Sequence, residues 1–289
     1  MSALLAIGFG YCARHLAAGP HPFARIAGTQ RQDVPAGWPE GVERLTFDGT
    51  SIGPELAAAL AEADVLLHSV PPDTAGDPVL RVLGPTLAKG RLRQVIYLTT
   101  LGIYGEHGGA WVDETTPPRA DSPRLSRRIA AEADWFAFGE RHGVKVAALR
   151  LAGIYGPGAG RNALSQIAEG RAECIDKPGQ VFNRIHVADI AAAITMVVAQ
   201  GFSGVLNVAD DLPTAPCEPL RFAATLLGRP PPVAVPFAVA QATMSSMALS
   251  FWANNKRVSN ARLKDLGLRL AYPTYREGLM ALHAAGEGR

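Results

Sequence analysis

The sequence predicts a Rossmann-type α/β fold, a doubly wound parallel sheet of about seven strands joined to a small, mostly helical C-terminal lobe. Three observations predict it. Short apolar runs alternate with helical patterns over the first two thirds of the 289 residues. The runs are almost wholly apolar, as strands buried on both faces of a parallel sheet are. A glycine-rich turn separates the first run from a helical pattern.

The apolar runs give the expected strands in chain order. They cover residues 4–7, 23–27, 45–47, 65–67, 95–98, 146–149 and 205–208. Amphipathic or alanine-rich segments give the helices, at residues 53–63, 78–88, 123–141 and 187–199. The first run has no positive segment before it and ends within five residues at a glycine turn, so it is interpreted as a strand rather than a signal peptide.

The composition changes after Asp210, first to proline-rich and then to alanine- and methionine-rich segments. We therefore predict an NAD(P)-binding domain and a substrate lobe. The domain comprises residues 1–152 and 184–208, and the lobe comprises residues 153–183 and 209–289. The uncharged segment 236–252 is short for a membrane span and contains polar residues, so it is predicted to be a soluble helix.

Composition and charge exclude several functional classes. With 48% hydrophobic and 19% charged residues, the chain can bury a substantial core. The net charge is only +2 and no cationic run exceeds Arg127-Arg128, so we expect neither a nucleic-acid nor a membrane partner. Cys12, Cys174 and Cys217 lie far apart without metal-ligand spacing, so we predict reduced thiols, no metal and a cytoplasmic location.

A dinucleotide site is predicted at the turn between the first strand and the first helix. Its pattern is G-x-G-x-x-A, formed by Gly8, Phe9, Gly10, Tyr11, Cys12 and Ala13. The first glycine permits the tight turn, the second lets the backbone approach a pyrophosphate, and the alanine lets helix pack on strand. Free N–H groups at the start of the helix then favour the phosphate. We assign all six residues to the cofactor site.

The end of the second strand indicates which dinucleotide binds. An acidic residue there normally accepts a hydrogen bond from the ribose 2′-hydroxyl. Here the sequence is Gly28-Thr29-Gln30-Arg31, and a 2′-phosphate would be attracted by Arg31 with help from the Thr29 hydroxyl. We predict NADP as the preferred cofactor and NAD as the alternative, in which Arg31 is solvated and Asp33 binds the ribose.

Other strand ends supply further expected cofactor contacts. Asp48 ends the third strand and either accepts a hydrogen bond from the adenine amino group or is a plain loop aspartate. The remaining assigned contacts are Ser69, Val70, Pro71 and Thr99.

Three segments carry longer motifs. Residues 97–105 (YLTTLGIYG) have a threonine four residues before Tyr-Gly, residues 150–158 read RLAGIYGPG, and residues 182–191 read FNRIHVADIA. They resemble the catalytic Ser/Thr strand, the R-x-x-x-V-Y-G-P segment and the F-x-x-x-H-V-x-D-x-A segment of the extended short-chain dehydrogenase/reductase family. Nucleotide-sugar epimerases and dehydratases belong to that family. Residues 258–267 also resemble its late helix.

The resemblance implies a seven-stranded sheet with a nicotinamide cofactor and a C-terminal lobe that holds substrate. By position it implies that Thr100 bonds the reacting oxygen. Tyr155 either lines the cofactor or substrate cleft or fills space between the lobes. His186 is expected near the junction of the lobes, in a structural rather than a catalytic role.

The pattern departs from the family on the next helix. Residues 122–132 (SPRLSRRIAAE) align with S-P-Y-x-x-S-K-x-x-x-E, which puts Arg124 at the tyrosine and Arg128 at the lysine. Both lie on one helical face, but a guanidinium stays protonated to pH ~12 and cannot act as acid and base near neutrality. Arg128 is expected to hold the nicotinamide ribose, and Arg124 an oxyanion or acidic substrate group. The alternative is a solvated face with an Arg128–Glu132 ion pair.

Two tyrosines are candidates for the missing proton donor, namely Tyr104, which we assign as catalytic, and Tyr155. The loop 105–116 also carries His107, Asp113 and Glu114, which either contact substrate, supply a base or are merely solvated.

Two further arginines are assigned to substrate. Arg161 lies in a glycine-rich turn and Arg184 in the third motif, and each is expected to bind a phosphate or acidic group.

These observations predict an NAD(P)-dependent oxidoreductase or epimerase/dehydratase-like protein with non-standard acid/base residues. Its substrate is expected to be a sugar nucleotide or sugar-like small molecule, with an anionic group as one possibility. The alternative is a catalytically impaired protein that binds NAD(P) as a sensor or scaffold. The resemblance also implies a homodimer formed through helices 123–141 and 162–170.

Overall fold

The computed structural model describes residues 2–31 and 38–289, so Asp33 lies outside the described residues. The strands are β1 (Ser2–Ile7), β2 (Phe23–Gln30), β3 (Val42–Thr46), β4 (Val65–His68), β5 (Gln94–Thr100), β6 (Trp111–Val112), β7 (Lys145–Leu151), β8 (Gly153–Tyr155), β9 (Cys174–Asp176), β10 (Arg184–His186), β11 (Gly204–Val208), β12 (Ala234–Pro236) and β13 (Arg257–Val258). The helices are α1 (Tyr11–Ala18), α2 (Pro54–Glu62), α3 (Pro78–Leu87), α4 (Pro123–His142), α5 (Ala163–Ala168), α6 (Val187–Gln200), α7 (Glu218–Leu226), α8 (Phe237–Ala240), α9 (Ser246–Trp252), α10 (Ala261–Asp265) and α11 (Tyr275–Ala284). Two 3₁₀ helices cover Leu101–Tyr104 and Gln241–Thr243.

Seven strands form one parallel sheet in the order β11-β7-β5-β4-β1-β2-β3. All seven predicted strands lie in it, so the predicted fold class is confirmed. The strand order reverses at β1, because β2 and β3 follow on one side and β4 and β5 on the other. Ligands of doubly wound sheets bind outside the carboxyl ends of the strands at such a reversal. The fold therefore places the ends of β1 and β4 where a dinucleotide would cross the sheet.

The sheet is buried on both faces. All four residues of β4, the last four of β1 and the first six of β5 are buried. Successive side chains of a strand point to opposite faces, so burial of consecutive residues requires cover on each side. On one face, α2, α3 and α4 pack on the sheet through Leu60, Leu83 and Trp135. This cover explains why the predicted strands lack polar alternation.

The chain divides into two compact units. Unit 1 contains Met1–Ile103, Ala120–Arg150 and Ile190–Leu206, and unit 2 contains Tyr104–Arg119, Leu151–Asp189 and Asn207–Arg289. The division differs from the predicted domains because segments 104–119 and 184–189 fall in unit 2. There β6 pairs with β13, β10 pairs with β8, and the Glu114 carboxylate accepts a hydrogen bond from the Asn207 N–H at 2.7 Å. These local bonds tie segment 104–119 to β13 and Asn207, and segment 184–189 to β8.

Unit 2 corrects two sequence expectations. Segment 236–252 forms β12, α8, a 3₁₀ turn and α9 rather than one helix, because Met244 is extended and the Ser245 side chain starts α9 by accepting from the Ala248 N–H. Cys174 and Cys217 form a disulfide instead of remaining reduced, whereas Cys12 is not in a disulfide. Their separation of 43 residues gave no sequence signal, since β9 and the start of α7 meet only in the folded unit. Across residues 2–31 and 38–289, every helix is too short or too polar to cross a bilayer.

Candidate functional site

The glycine turn has the geometry that its motif predicts. Gly8 has a φ of 85°, and a Cβ there would lie 2.7 Å from the Ser69 hydroxyl oxygen. Its N–H donates to the Thr29 hydroxyl oxygen at 3.1 Å. Gly10 is the N-cap of α1 and forms no side-chain cap, and Ala13 in the first turn of α1 is buried. Because Gly10 has no side chain, it cannot cap α1 itself, and a helix N-terminus that begins in this way suits an anion.

Gly28 is a part of this turn that sequence reasoning missed. A Cβ at Gly28 would collide with the ring of Phe9, and the Phe9 N–H donates to the Thr29 carbonyl oxygen at 2.9 Å. Gly28 therefore leaves space on β2 for the ring of Phe9, the second residue of the G-x-G-x-x-A motif. Thr29 supports the same turn, being 1% exposed with its hydroxyl bonded to Gly8, which differs from its predicted contact with a 2′-phosphate.

Two arginines of unit 1 lie close to Trp38 beside the glycine turn, and a third follows β2. Arg31 follows β2 and is exposed. The guanidinium carbons of Arg14 and Arg44 lie 5.4 and 5.9 Å from the ring centre of Trp38, and the Trp38 ring lies tilted against Phe9 with the ring centres 4.7 Å apart. Arg14 and Arg44 come from α1 and β3, so no sequence motif links them to Arg31. Arg14, Arg44 and Trp38 thus form a cationic, aromatic cluster beside Phe9.

Asp48 lies beyond β3 in an exposed turn. One of its carboxylate oxygens accepts hydrogen bonds from the N–H and hydroxyl of Thr50 and from the Ser51 N–H. These bonds, led by those of Thr50, hold the pKa of Asp48 below its ordinary value. The side chain has a local structural role, and its contact with adenine stays a prediction.

The segment after β4 packs directly on the glycine turn. The Ser69 hydroxyl donates to the Gly8 carbonyl oxygen at 2.7 Å, and the Ser69 N–H donates to the Ile7 carbonyl oxygen at 3.1 Å. Val70 lies within 3.1 Å of where a Gly8 Cβ would be. The structure thus brings Ser69 and Val70 to the turn, as the cofactor assignment requires, and Pro71 follows them.

The end of β5 lies beside the start of α4. Thr99 is buried, whereas Thr100 is partly exposed and its hydroxyl oxygen accepts from the Gly102 N–H at 3.1 Å. A Cβ at Gly102 would lie 3.3 Å from that oxygen and 3.1 Å from Leu125 of α4. Thr100 therefore stands at the edge of the sheet next to the helix that carries the two arginines.

The start of α4 is cationic in an unusual place. Arg124 and Arg128 occupy its first two turns, and its first turn contains no acidic residue although a helix N-terminus carries partial positive charge. Partial burial, followed by the charge of Arg128, lowers the pKa of Arg124. Two cations on one face at the positive end of a helix favour an anion between them.

Glu132 is not exposed in an ion pair with Arg128, as the alternative interpretation of this helix face expected. Its carboxylate pairs with the Arg150 guanidinium, and both side chains are almost wholly buried. The glutamate of the helix motif and the arginine of the R-x-x-x-V-Y-G-P motif therefore meet in one buried ion pair of unit 1. The motif spacing in the sequence did not indicate this pairing.

The candidate tyrosines of unit 2 are buried with engaged hydroxyls. Tyr104 donates its hydroxyl proton to the Asn207 side-chain oxygen at 2.7 Å. Tyr155 donates to the Thr274 carbonyl oxygen at 3.4 Å, and burial, followed by the charge of Asp210, raises its pKa. Neither environment resembles that of a general acid poised near neutral pH.

His186 and the loop side chains also have local partners in unit 2. The His186 ring lies 5.1 Å from Tyr155, and its Nδ1 accepts from the Ala188 N–H at 3.2 Å. His107 contacts the Tyr104 carbonyl oxygen at 2.9 Å, and Asp113 accepts from the N–H and hydroxyl of Thr115. These contacts order the segments that carry the predicted loop residues.

The predicted substrate arginines occupy different environments. Arg161 is exposed in the glycine-rich turn, where its N–H bonds the Gly158 carbonyl oxygen at 3.0 Å. Arg184 donates to the Phe182 carbonyl oxygen at 3.2 Å, and burial lowers its pKa. Near it, burial raises the pKa of Asp210 to about 7. Among the described residues, no three His, Cys, Asp or Glu side chains converge as metal ligands would.

Comparison with known proteins decides the family. The family model for the NAD dependent epimerase/dehydratase family matches residues 79–209. A solved NAD-dependent epimerase/dehydratase-type protein from Methylobacillus flagellatus is 27% identical, over 98% of each chain, with a TM-score of 0.73. Residues 79–209 thus carry a domain of the NAD-dependent epimerase/dehydratase family. The family is NAD(P)-dependent, and the seven-stranded parallel sheet described above matches the fold of its structural neighbours.

Two further relatives are informative about this family member. A conserved protein of unknown function from Silicibacter pomeroyi is 42% identical over 99% of this chain and 100% of its own, with a TM-score of 0.86. The 3-diazoavenalumate denitrifying reductase of Streptomyces is 28% identical over 136 residues, which are 45% of this chain and 45% of that relative. The chain thus spans less than half of that curated relative.

Proposed function

We propose that this protein is an NADP(H)-preferring oxidoreductase or epimerase/dehydratase-like enzyme whose substrate is sugar-like or a sugar nucleotide and carries an anionic group. The observation that supports it most is the glycine turn, where a glycine at the N-cap of α1, a left-handed Gly8 and a supporting Thr29 hydroxyl give the backbone a shape that suits a phosphate. The cofactor supplies hydride transfer when it is bound. The chain's own residues then bind, orient and stabilise charge.

The preference for NADP(H) rests on charge at the end of β2. Arg14 and Arg44 bring two guanidinium groups to Trp38, beside Phe9 of the glycine turn, and the exposed Arg31 follows the end of β2. A 2′-phosphate with two negative charges gains more from such a surface than a 2′-hydroxyl does. We expect NADPH to bind at least ten times more tightly than NADH.

The anionic group of the substrate is proposed to contact Arg124. The fork of a guanidinium matches carboxylate and phosphate oxygens, and Thr100 stands at the end of the neighbouring strand. Arg128 is proposed to hold the nicotinamide ribose as a lysine would. Because neither arginine can give up its proton near neutrality, the proton of the reaction must come from substrate, water or a group outside this helix face.

The test combines binding with turnover. Fluorescence titration with NADPH and NADH measures both dissociation constants, and a screen of nucleotide sugars and simple carbonyl compounds monitors cofactor absorbance. Tight NADPH binding with turnover of at least one anionic substrate is expected. A protein that binds neither NADPH nor NADH would refute the proposal.

A binding protein without catalysis is the second candidate. It is favoured by Arg124 at the proton donor's place and by the Tyr104 hydroxyl already bonded to Asn207. Tight NADPH binding with no turnover across the screen would select this candidate.

We also propose that the chain forms a homodimer, as the family resemblance implies. Size-exclusion chromatography with light scattering should give twice the chain mass of 30.5 kDa, whereas the single-chain mass would remove this proposal.

A further inference from the structure

The proposed cofactor site is bordered by a loop whose two ends are joined by a buried hydrogen bond. His68 ends β4 and Asp77 precedes α3, and His68 Nε2 lies 2.7 Å from Asp77 Oδ2. The two side chains are 0% and 1% exposed. Residues 69–76 run between them, and Ser69 at the start of this loop touches the glycine turn.

The hydrogen bonds of the pair fix its arrangement. The Val70 N–H donates to His68 Nδ1 at 3.3 Å, so Nδ1 is the acceptor and Nε2 carries the proton that it donates to Asp77. The Trp135 indole N–H donates to the same Asp77 oxygen at 3.2 Å. The His68 ring is stacked 4.8 Å from Tyr97, which prevents it from turning freely.

Asp77 also holds the other end of the loop. Its second oxygen accepts the N–H groups of Val79 and Leu80 at 2.9 and 3.0 Å and so caps α3. Burial by itself would raise the pKa of Asp77, yet His68 and the hydrogen bonds hold it below its ordinary value. The carboxylate is thus charged and bonded on both oxygens, as a buried charge must be.

A chain of contacts leads from this pair to the cofactor turn. His68 holds the Val70 N–H, Ser69 donates to the Gly8 carbonyl, and Val70 packs where a Gly8 Cβ would lie. The loop follows β4, on the side of the strand reversal opposite to β2 and Arg31. A dinucleotide that crosses the reversal has its adenine half on the β2 side and its nicotinamide half on the β4 side.

We propose that His68 and Asp77 are positioning residues for the nicotinamide half of the dinucleotide, because together they hold loop 69–76 against the glycine turn. Neither side chain touches the cofactor in this account. Each acts through Ser69 and Val70, so loss of the pair displaces the loop and leaves the Arg31 side of the site intact. The inference rests on the proposed cofactor binding.

The test uses two ligands that share the adenine half. NADPH spans the reversal, whereas adenosine 2′,5′-bisphosphate contains only the adenosine and its two phosphates. In Asp77→Asn the amide can still cap α3, but its NH₂ faces the His68 N–H, so the ring must give up its contact with either Asp77 or Val70. We expect the NADPH dissociation constant to rise about tenfold and that of the bisphosphate to stay within twofold.

A second variant and a matched control sharpen the result. His68→Gln can still donate to Asp77 through its NH₂ group but has no acceptor at the position of Nδ1 for the Val70 N–H, so the same selective loss is expected. Asp73→Asn, in the same loop but in an exposed pair with Arg81, should leave both constants within twofold. Circular dichroism and the unfolding midpoint show that each variant is folded at the assay temperature.

Three results would overturn the inference. They are unchanged NADPH affinity in both folded variants, equal losses for the two ligands, and failure of both variants to fold, which would make the pair a determinant of folding. A wild-type chain that binds neither NADPH nor NADH refutes the proposed function first, and this inference with it.

Discussion

The glycine turn and the start of α4 lie in the same unit but differ in how much of the family's pattern they keep. At the turn, Gly8, Gly10 and Ala13 are present and the backbone has the required shape. At the start of α4, Arg124 and Arg128 replace the tyrosine and lysine of the resemblance. Dinucleotide binding depends on backbone geometry and charge, whereas proton transfer depends on a side-chain pKa near neutrality. The two functions can therefore change independently in one fold.

The largest expected effect tests whether α4 keeps its structural role despite its altered start. Glu132→Ala leaves the buried Arg150 guanidinium without its carboxylate, and such losses cost about 3–5 kcal/mol of unfolding free energy. Glu140→Ala, at an exposed position of the same helix, should cost less than about 0.5 kcal/mol. Urea unfolding measures both. Similar small values for the two variants would show that α4 has lost its structural as well as its chemical motif.

The second test breaks the turn itself. Gly8→Val forces a branched side chain into a left-handed backbone position against Ser69, so NADPH affinity should fall about 100-fold, or about 2.7 kcal/mol. Gly53→Ala, at the open N-cap of α2, is the control and should bind as wild type. Fluorescence titration gives both constants. Retained affinity in a folded Gly8→Val protein would place the dinucleotide elsewhere.

The third test concerns a pH dependence of the unfolding free energy that arises in unit 2, outside both the glycine turn and the start of α4. Because burial raises the pKa of Asp210 to about 7, the folded state favours its protonated form. Its contribution to stability is therefore complete at acidic pH and is lost as the pH rises through about 7. The test compares the change in unfolding free energy between pH 5 and pH 8 in the two proteins. This change should be about 2 kcal/mol smaller in Asp210→Asn than in the wild type. Asp265→Asn, at an exposed position of the same unit, should keep the wild-type difference.

The smallest expected effects distinguish Arg124 from Arg128. Arg128→Ala should weaken NADPH about tenfold through the lost ribose contact, whereas Arg124→Ala should leave NADPH within twofold. Inorganic phosphate should raise the unfolding midpoint of wild type but less so that of Arg124→Ala. If neither substitution changes ligand binding, the arginines form only a solvated helix face.

The sequence predicted the sheet and the glycine turn because both depend on local patterns. Apolar runs reveal buried strands, and Gly8 to Ala13 are contiguous. It did not predict that Glu132 meets Arg150, that Cys174 meets Cys217, or that Arg14 and Arg44 approach Trp38. Each of these contacts joins segments that are far apart in the sequence, and their separation follows neither helical nor strand periodicity. Thr29 shows a subtler limit, since its position at the end of β2 was predicted but its buried bond to Gly8 was not.

The central claim is that the cofactor site is kept while the tyrosine acid and base is absent. A crystal structure of the NADPH complex tests it most directly, through the side chains near nicotinamide C4. We predict the pyrophosphate at Gly8 to Ala13, Arg128 on the nicotinamide ribose, and no tyrosine hydroxyl within ~4 Å of C4. A complex with the Tyr104 or Tyr155 hydroxyl beside C4, or with the dinucleotide away from the glycine turn, would contradict the account.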